Sequence, residues 1–407
     1  MDTSTPALVL KFDRNVLHHG GLGAIRSLGR AGVPVYGVHE HRWAPAARSR
    51  YSSGCLVWSS GISRSSQRLA ALGEVAERIG RPAVLIAADD AAAIFLAERG
   101  DLLRERFKFP KPAAGLPRAV AGKGSLAELC RRLAVPFPAT AVPSSGTELS
   151  AFAREAGFPL VAKAASPWKA PSTVRGTRLV RTPRELDEAS RAADRASVEL
   201  VWQEFIPGSA DCDWFFHGYC DRDSVCRPAF TGIKRRSYPA HAGLTSFGVA
   251  ASNEPLRAAA TALLSRLGYR GIVDLDFRYD VRDRQYKLLD FNPRLGAQFR
   301  LFRDTAGIDV VLAQYLDLTG QPVAERPQVS GRAFLTENYD PIAALTYWRR
   351  GELDARSWLE SLRTVDEPAW FARDDLRPFG LMCLRMGWRA VTRPFALHRS
   401  RAERGDD

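Results

Sequence analysis

The residues best equipped for chemistry lie in two short runs near position 280. Gly271-Ile272-Val273-Asp274-Leu275-Asp276-Phe277-Arg278-Tyr279-Asp280 alternates apolar and charged side chains, and Tyr286-Lys287-Leu288-Leu289-Asp290-Phe291-Asn292-Pro293-Arg294 follows it closely. Successive side chains on a strand point to opposite faces. Asp274, Asp276 and Arg278 therefore share one face, and Val273, Leu275, Phe277 and Tyr279 the other. A turn centred on residue 283 sets 276 opposite 290 and 274 opposite 292, with Leu288, Asp290 and Asn292 on one face. Like charges opposite one another on adjacent strands repel, and a cation resolves the conflict. Asp276, Asp290 and Asn292 offer oxygen only, with no His or Cys, which suits Mg²⁺ or Mn²⁺ rather than zinc. A solvated hairpin face is the competing reading, but the opposite faces are too apolar for a free ribbon. Arg294 stands just past the cluster, where it could reach an anionic group.

Lysine is scarce in this chain. Of 407 residues, 58 are Lys or Arg against 45 Asp or Glu, a net charge of +13, yet only 8 are lysines. Most of the excess is arginine scattered throughout, a composition that points to anionic small molecules ahead of nucleic acid. Lysine supplies a compact point charge for a phosphate, arginine a planar fork. Lys163 ends an apolar strand over 158–163, directly before a polar stretch, 166–176, that reads as a mobile loop. Lys123, in Ala121-Gly122-Lys123-Gly124, opens a helix, and helix N-termini attract anions. Lys234 follows an apolar run and precedes Arg235-Arg236. For each lysine alone, a solvated surface position is the competing reading. Val201-Trp202-Gln203-Glu204-Phe205-Ile206-Pro207-Gly208 reads as a strand running into a hinge, whose backbone suits a planar base. Asp211, seven residues after Glu204, suits ribose hydroxyls.

The elements that must position these groups alternate along the chain. Strands over 7–11, 33–38 and 83–87, with helices over 24–31, 67–79 and 89–98, predict a parallel doubly wound unit. Gly20-Gly21-Leu22-Gly23 reads as its first loop; it lacks GxGxxG, so a dinucleotide site is a poor reading. Phe109-Pro110-Lys111-Pro112 reads as a linker. Helices over 125–133, 148–156 and 184–196 then accompany strands over 158–163, 178–181 and 199–205. A strand-rich unit follows, with strands over 213–220 and 225–233, a helix over 255–267, the hairpin and a helix over 310–318. Helices over 341–350, 357–362 and 378–391 form a small tail. The tail carries seven arginines between 377 and 404 interleaved with apolar residues, so it also suits an anionic membrane or nucleic acid.

Six cysteines without paired spacing fit neither a thiolate metal site nor a disulfide framework. No apolar run approaches the roughly 18 residues of a membrane span, and no leader pattern opens the chain. A cytoplasmic protein without integral membrane association is expected.

The order lysine, lysine plus loop, hinge, lysine, carboxylate pair resembles the ATP-grasp superfamily, and in particular its D-aspartate-ligase-like branch of carboxylate–amine ligases. The matching pieces are Ile25-Arg26-Ser27-Leu28-Gly29, Lys123, Pro159-Leu160-Val161-Ala162-Lys163, Gln203-Glu204-Phe205-Ile206-Pro207-Gly208, 271–277 and Leu289-Asp290-Phe291-Asn292-Pro293-Arg294. The resemblance covers roughly residues 7–320 and, less specifically, the tail. It implies an α/β and α+β protein with the ATP-grasp fold: a pre-ATP-grasp α/β domain over 1–110, a first lobe over 111–205 with a mobile loop at 164–177, a second lobe with the metal site over 206–325, and a helical extension over 326–407. It also implies roles. Lys123, Lys163 and Lys234 contact ATP phosphates, Glu204, Phe205 and Ile206 hold adenine, and Asp211 holds ribose. Asp276, Asp290 and Asn292 coordinate Mg²⁺ (or Mn²⁺), and Arg294, with Arg278 and Lys234, stabilises the transferring phosphoryl group. His19, Gly20 and Arg26 are candidates for the acceptor side, against a favoured reading as ordinary strand-to-helix turn residues. Many relatives carry Glu at the two metal carboxylates; Asp is shorter by one methylene and remains a hard ligand. The expected activity is amide or peptide bond formation between a small-molecule carboxylate and an amine, such as amino acids or a biosynthetic intermediate, through an acylphosphate. The alternatives are another ATP-grasp ligation or phosphotransfer, or a basic binding module; nucleic acid is not an expected partner, and a homodimer is one assembly this allows.

Overall fold

The computed structural model describes residues 1–58, 62, 64–171, 176–241 and 243–402. Positions 172–175 of the expected loop lie outside the described residues.

The N-terminal unit is a five-stranded parallel sheet in the spatial order Ser52–Val57, Val35–His39, Ala7–Leu10, Ala83–Ala87, Phe107–Lys108. Its inner strands are short apolar runs buried on both faces, as parallel sheets require. The edge strand Ser52–Val57 escaped the sequence reading, because only Leu56 of its six residues is buried. Strand order reverses between Ala7–Leu10 and Ala83–Ala87, and the crevice beyond the carboxyl ends at such a switch point is where open α/β sheets bind ligands.

The expected glycine loop is helix. His19–Arg30 begins with the glycine run, and His18 Nδ1 accepts a hydrogen bond from Gly21 N at 3.0 Å. Glycine disfavours helix, and packing explains its use here. A Cβ on Gly20 would lie 3.0 Å from the backbone Cα of Ala297, so the loop after the carboxylate hairpin lies directly on this turn.

A four-stranded antiparallel sheet follows, ordered Thr140–Ala141, Leu200–Glu204, Leu160–Ala164, Arg178–Val180, backed by helices Gly146–Ala156 and Pro183–Arg195. Helix Lys123–Arg132, expected over 125–133 to accompany this sheet, instead packs on the larger one, together with the short helix Leu116–Ala121. Val120, Leu126 and Leu129 share a core with Phe216, Leu275 and Phe291.

The larger sheet has seven strands: Gln285–Asn292, Gly271–Asp280, Asp213–Cys220, Cys226–Tyr238, Leu244–Ala250, Ala333–Leu335 and Val365–Pro368. All pairs are antiparallel except the last. The extension after 326 is thus not purely helical. It adds two short strands to this sheet before and after helices Asp340–Arg349 and Ala355–Arg363.

One core joins the N-terminal unit, the larger sheet and the extension, with Ile25, Phe302, Phe334 and Trp370 all in it. Arg26 fastens this junction. It is fully buried, with Nε 2.9 Å from Asp375 Oδ2 and Nη2 donating to the carbonyls of Trp370 and Asp375 at 2.8 and 2.9 Å. Arg26 is therefore a structural residue and does not face an acceptor, contrary to expectation. His19 is likewise enclosed, its ring 6.0 Å from Trp370 and 6.1 Å from Phe334. Arg26→Ala would leave the buried Asp375 carboxylate without its counter-charge, with Ser49 Oγ and the Arg50 N–H still donating to it, a loss of about 3 kcal/mol. Urea unfolding of the variant is expected to show that drop; a change near zero would remove Arg26 from this role.

Candidate active site

The hairpin pairs as its sequence predicts. Asp276 lies opposite Asp290, and Asp274 opposite Asn292. The pairing then slips, and Phe277 faces Leu288 instead of Leu289. Leu288 therefore does not share the carboxylate face; it is fully buried in the core, and its N–H donates to Pro136 O at 2.9 Å. The bulged residue, Leu289, has no ladder partner. Its carbonyl accepts from Lys163 Nζ at 3.1 Å.

Three lysines converge on the two facing carboxylates. Lys123 Nζ is 2.9 Å and Lys163 Nζ 3.1 Å from Asp290 Oδ1. Lys234 Nζ is 2.7 Å from Asp276 Oδ1. Each comes from a different element: the first turn of Lys123–Arg132, the small-sheet strand Leu160–Ala164 and the large-sheet strand Cys226–Tyr238. Burial disfavours charge on Asp290, but Lys123 and Lys163 outweigh it and hold the carboxyl well below the usual range. Burial also opposes charge on Lys234, and Asp276, Asp213 and Asp274 outweigh it, raising the ammonium above its ordinary value. For Lys163 burial wins, aided by the neighbouring Lys123, and the pKa falls despite Asp290.

Arg294 lies beside this cluster. Its Nη1 is 2.8 Å from Asp274 Oδ2 and its Nε 3.4 Å from Asp90 Oδ1, at the start of helix Asp90–Arg99. The next residue, Leu295, donates its N–H to Ala87 O at 3.1 Å, so the chain leaving the hairpin docks on the switch point of the N-terminal sheet. His217, overlooked at the sequence level, lies opposite Asp274 in the ladder with Nε2 3.2 Å from Oδ1. It is fully enclosed, and burial pulls its pKa down despite Asp274. A Cβ on Gly296 would lie 2.1 Å from His217 Cε1, so only glycine fits there. No spacing rule could have revealed His217 or Asp90, since their partners lie at sequence separations set by the fold alone.

The hinge is latched to the hairpin by Arg278. The side chain donates from Nε to Ile206 O at 2.7 Å and from Nη2 to Gly208 O at 2.8 Å, and pairs with Asp213. Its guanidinium also lies 5.4 Å from the Phe205 ring centre. These contacts remove Arg278 from the phosphoryl-stabilising role expected of it and make it a positioning residue. Glu204 meets Arg282 at 3.0 Å and Lys287 at 3.6 Å, both on the hairpin's far end. Asp211 is exposed and ion-paired with Arg235, next to Lys234. Of the residues named from the sequence, the fold brings Lys123, Lys163 and Lys234 to Asp276 and Asp290, and Arg294 to Asp274, whereas Glu204 and Asp211 meet other partners.

Among the described residues, no three His, Cys, Asp or Glu side chains form a metal cluster. Asp276, Asp290 and the amide of Asn292 still form an all-oxygen set on one hairpin face, of the kind that hard divalent cations take. The facing carboxylates and the lysines poised on them fit a cation and a polyphosphate binding together.

No family model matches the chain. Over 224 residues it is 26% identical to D-aspartate ligase of Enterococcus faecium (strain Aus0004), an alignment covering 52% of this chain and 53% of that one. The chain thus spans about half the length of that curated relative. Among solved structures it resembles the biotin carboxylase domain of Hydrogenobacter thermophilus 2-oxoglutarate carboxylase, in complex with MgADP and bicarbonate, with a TM-score of 0.57 at 16% identity over 80% of this chain and 72% of that one. It also resembles L-amino acid ligase from Bacillus licheniformis, with a TM-score of 0.57 at 14% identity over 78% and 75% of the two chains. The chain has the ATP-grasp fold.

Burial around the site leaves a pH signature. It lowers His18 to about 3, His19 to about 4 and His39 to about 3, with Lys11 adding to it for His18 and His39 and Arg300 for His19. All are depressed below the ordinary 6.5, so acid protonates them in the unfolded chain first. Stability should hold above pH 7 and fall as pH drops below about 6.5, each group contributing up to about 1.4 kcal/mol per pH unit. His39, with neither ring nitrogen hydrogen-bonded, is the cleanest probe. Urea unfolding from pH 7 to 5.5 should show a shallower decline in His39→Leu than in the parent. Parallel declines would contradict the assignment.

Proposed function

We propose that this protein is an ATP-dependent carboxylate–amine ligase that forms an amide or peptide bond through an acylphosphate. One observation carries the reading: three lysines from separate elements converge on two facing aspartates of one hairpin. The similarity to D-aspartate ligase and the likeness to an L-amino acid ligase and to a domain solved with MgADP support it.

ATP would lie between the small and large sheets, with adenine against the hinge at Glu204, Phe205 and Ile206 and ribose near Asp211. Lys123, Lys163 and Lys234 would exchange their carboxylate partners for phosphate oxygens. A divalent cation held by Asp276, Asp290 and Asn292 would supply the charge neutralisation that phosphoryl transfer needs. The substrate carboxylate oxygen attacks the γ-phosphorus, the bond to the β-γ bridging oxygen breaks, and ADP leaves. Lys123, Lys163 and Lys234 balance the charge on the transferring group and the departing ADP. The amine nitrogen then attacks the acyl carbon, the bond to the phosphate oxygen breaks, and the amine proton is lost as phosphate departs. Arg294, which meets Asp90 beside the switch point, would hold the carboxylate or its phosphorylated form. Arg278 keeps the hinge in register with the hairpin.

This chemistry makes one ADP and one phosphate per amide. A screen of paired amino acids for phosphate release should find turnover only when both carboxylate and amine are present. Asp290→Ala should abolish turnover with every pair, a loss of at least about 100-fold. Turnover without an amine would point instead to carboxylation or phosphotransfer, and normal activity in Asp290→Ala would remove the metal assignment.

A further inference from the structure

Over 377–392, where its side chains are described, the last helix, Arg377–Ala402, carries two apolar stripes, and the body of the protein covers one of them. Phe379, Met382 and Met386 belong to the central core, at the i, i+3, i+7 spacing of a packed face. Leu384, Trp388 and Val391 lie on a separate stripe at i, i+4, i+7. Leu384 and Trp388 are each 71% exposed and Val391 62%. Trp43, 51% exposed, continues this stripe from the N-terminal unit. Trp43, Leu384 and Trp388, together with Leu381, Arg385 and Arg389, line an open groove of about 300 Å³.

The charge around the stripe has one sign. Over 377–392, where the side chains are described, the helix carries Arg377, Arg385 and Arg389 and no acidic residue. Arg385 reaches His41 Nε2 at 2.8 Å and the Trp43 carbonyl at 3.4 Å, which ties the helix to the Trp43 turn. Arg48 and Arg42 lie 5.0 and 5.7 Å from the Trp43 ring centre. Exposed tryptophan and aliphatic side chains edged by arginine are the composition of a helix that lies in a bilayer interface. Among the described residues no helix is long and apolar enough to cross a membrane, so such a helix would lie on the surface.

We infer that this face binds an anionic lipid surface, with Leu384, Trp388 and Val391 entering the acyl boundary and Arg385 and Arg389 meeting the headgroups. A second copy of the chain fits less well, because it would set two acid-free arginine-rich faces against each other. Nucleic acid fits less well too: Trp388 and Trp43 would stack on bases, but the aliphatic Leu384 and Val391 on the same stripe would gain no burial there.

The test uses the full-length protein and sedimentation with vesicles of phosphatidylcholine alone or mixed with phosphatidylglycerol, at low and high salt. Binding is expected to the anionic vesicles only and to weaken with salt. Brominated lipid should quench tryptophan emission in the parent and quench it less in Trp388→Ser. The double variant Leu384→Ser/Trp388→Ser should bind about tenfold or more weakly, and Arg389→Glu should also bind more weakly. An unchanged circular dichroism melting curve in each variant would show that the fold is intact. No vesicle binding, or equal binding to neutral vesicles, would overturn the proposal. So would vesicle-independent dimers that Trp388→Ser dissociates, or salt-sensitive DNA binding in the absence of vesicle binding.

Discussion

Asp276 and Asp290 face each other across adjacent strands, an arrangement that is repulsive without nearby positive charge. Lys123, Lys163 and Lys234 supply that charge from a helix start and two different sheets. The site therefore exists only when three separate parts of the chain are folded and docked together. The same positive charge that makes the carboxylate pair tolerable is what a triphosphate would use. A bound cation could then take over the two aspartates as the lysines turn to phosphate. Electrostatic preorganisation of this kind costs little reorganisation at the moment of reaction, because folding has already assembled the charges.

The remaining architecture keeps that assembly in register. Arg278 ties the hinge carbonyls at 206 and 208 to the hairpin, so the hinge and the carboxylate hairpin are linked through one side chain. On the other side, Arg294 and Leu295 meet Asp90 and Ala87 at the switch point of the N-terminal sheet. The glycines at 20 and 296 allow the intervening loop to approach helix His19–Arg30 and His217 closely. The C-terminal extension completes the frame, with Asp375 receiving the buried Arg26 and two strands closing the sheet edge.

Much of the site was legible in the sequence because it is built from local patterns. Period-two alternation around Asp276 and Asp290 was enough to place them opposite each other, and the strands 285–292 and 213–220 and the helix 310–318 fall where patterning puts them. What escaped depends on partners distant in sequence. The slip at Leu289 follows from the core claiming Leu288, which alternation alone cannot reveal. Arg278 has the right face for phosphate, yet its partner Asp213 stands opposite it on a strand 65 residues earlier. Gly20 to Gly23 look like a loop until Ala297 and Phe299 are seen packed on them. Strands of three or four residues, such as Ala333–Leu335 and Val365–Pro368, carry too little pattern to be read and form because a sheet edge is waiting for them.

A lysine–aspartate cluster made ready for a cation and a polyphosphate together should bind the two cooperatively. Calorimetric titration of the whole protein with ATP, in the presence and absence of Mg²⁺, measures this. Saturable binding at one site is expected, at least about tenfold stronger when Mg²⁺ is present. Binding of equal strength with and without Mg²⁺, or no binding in either condition, would contradict it.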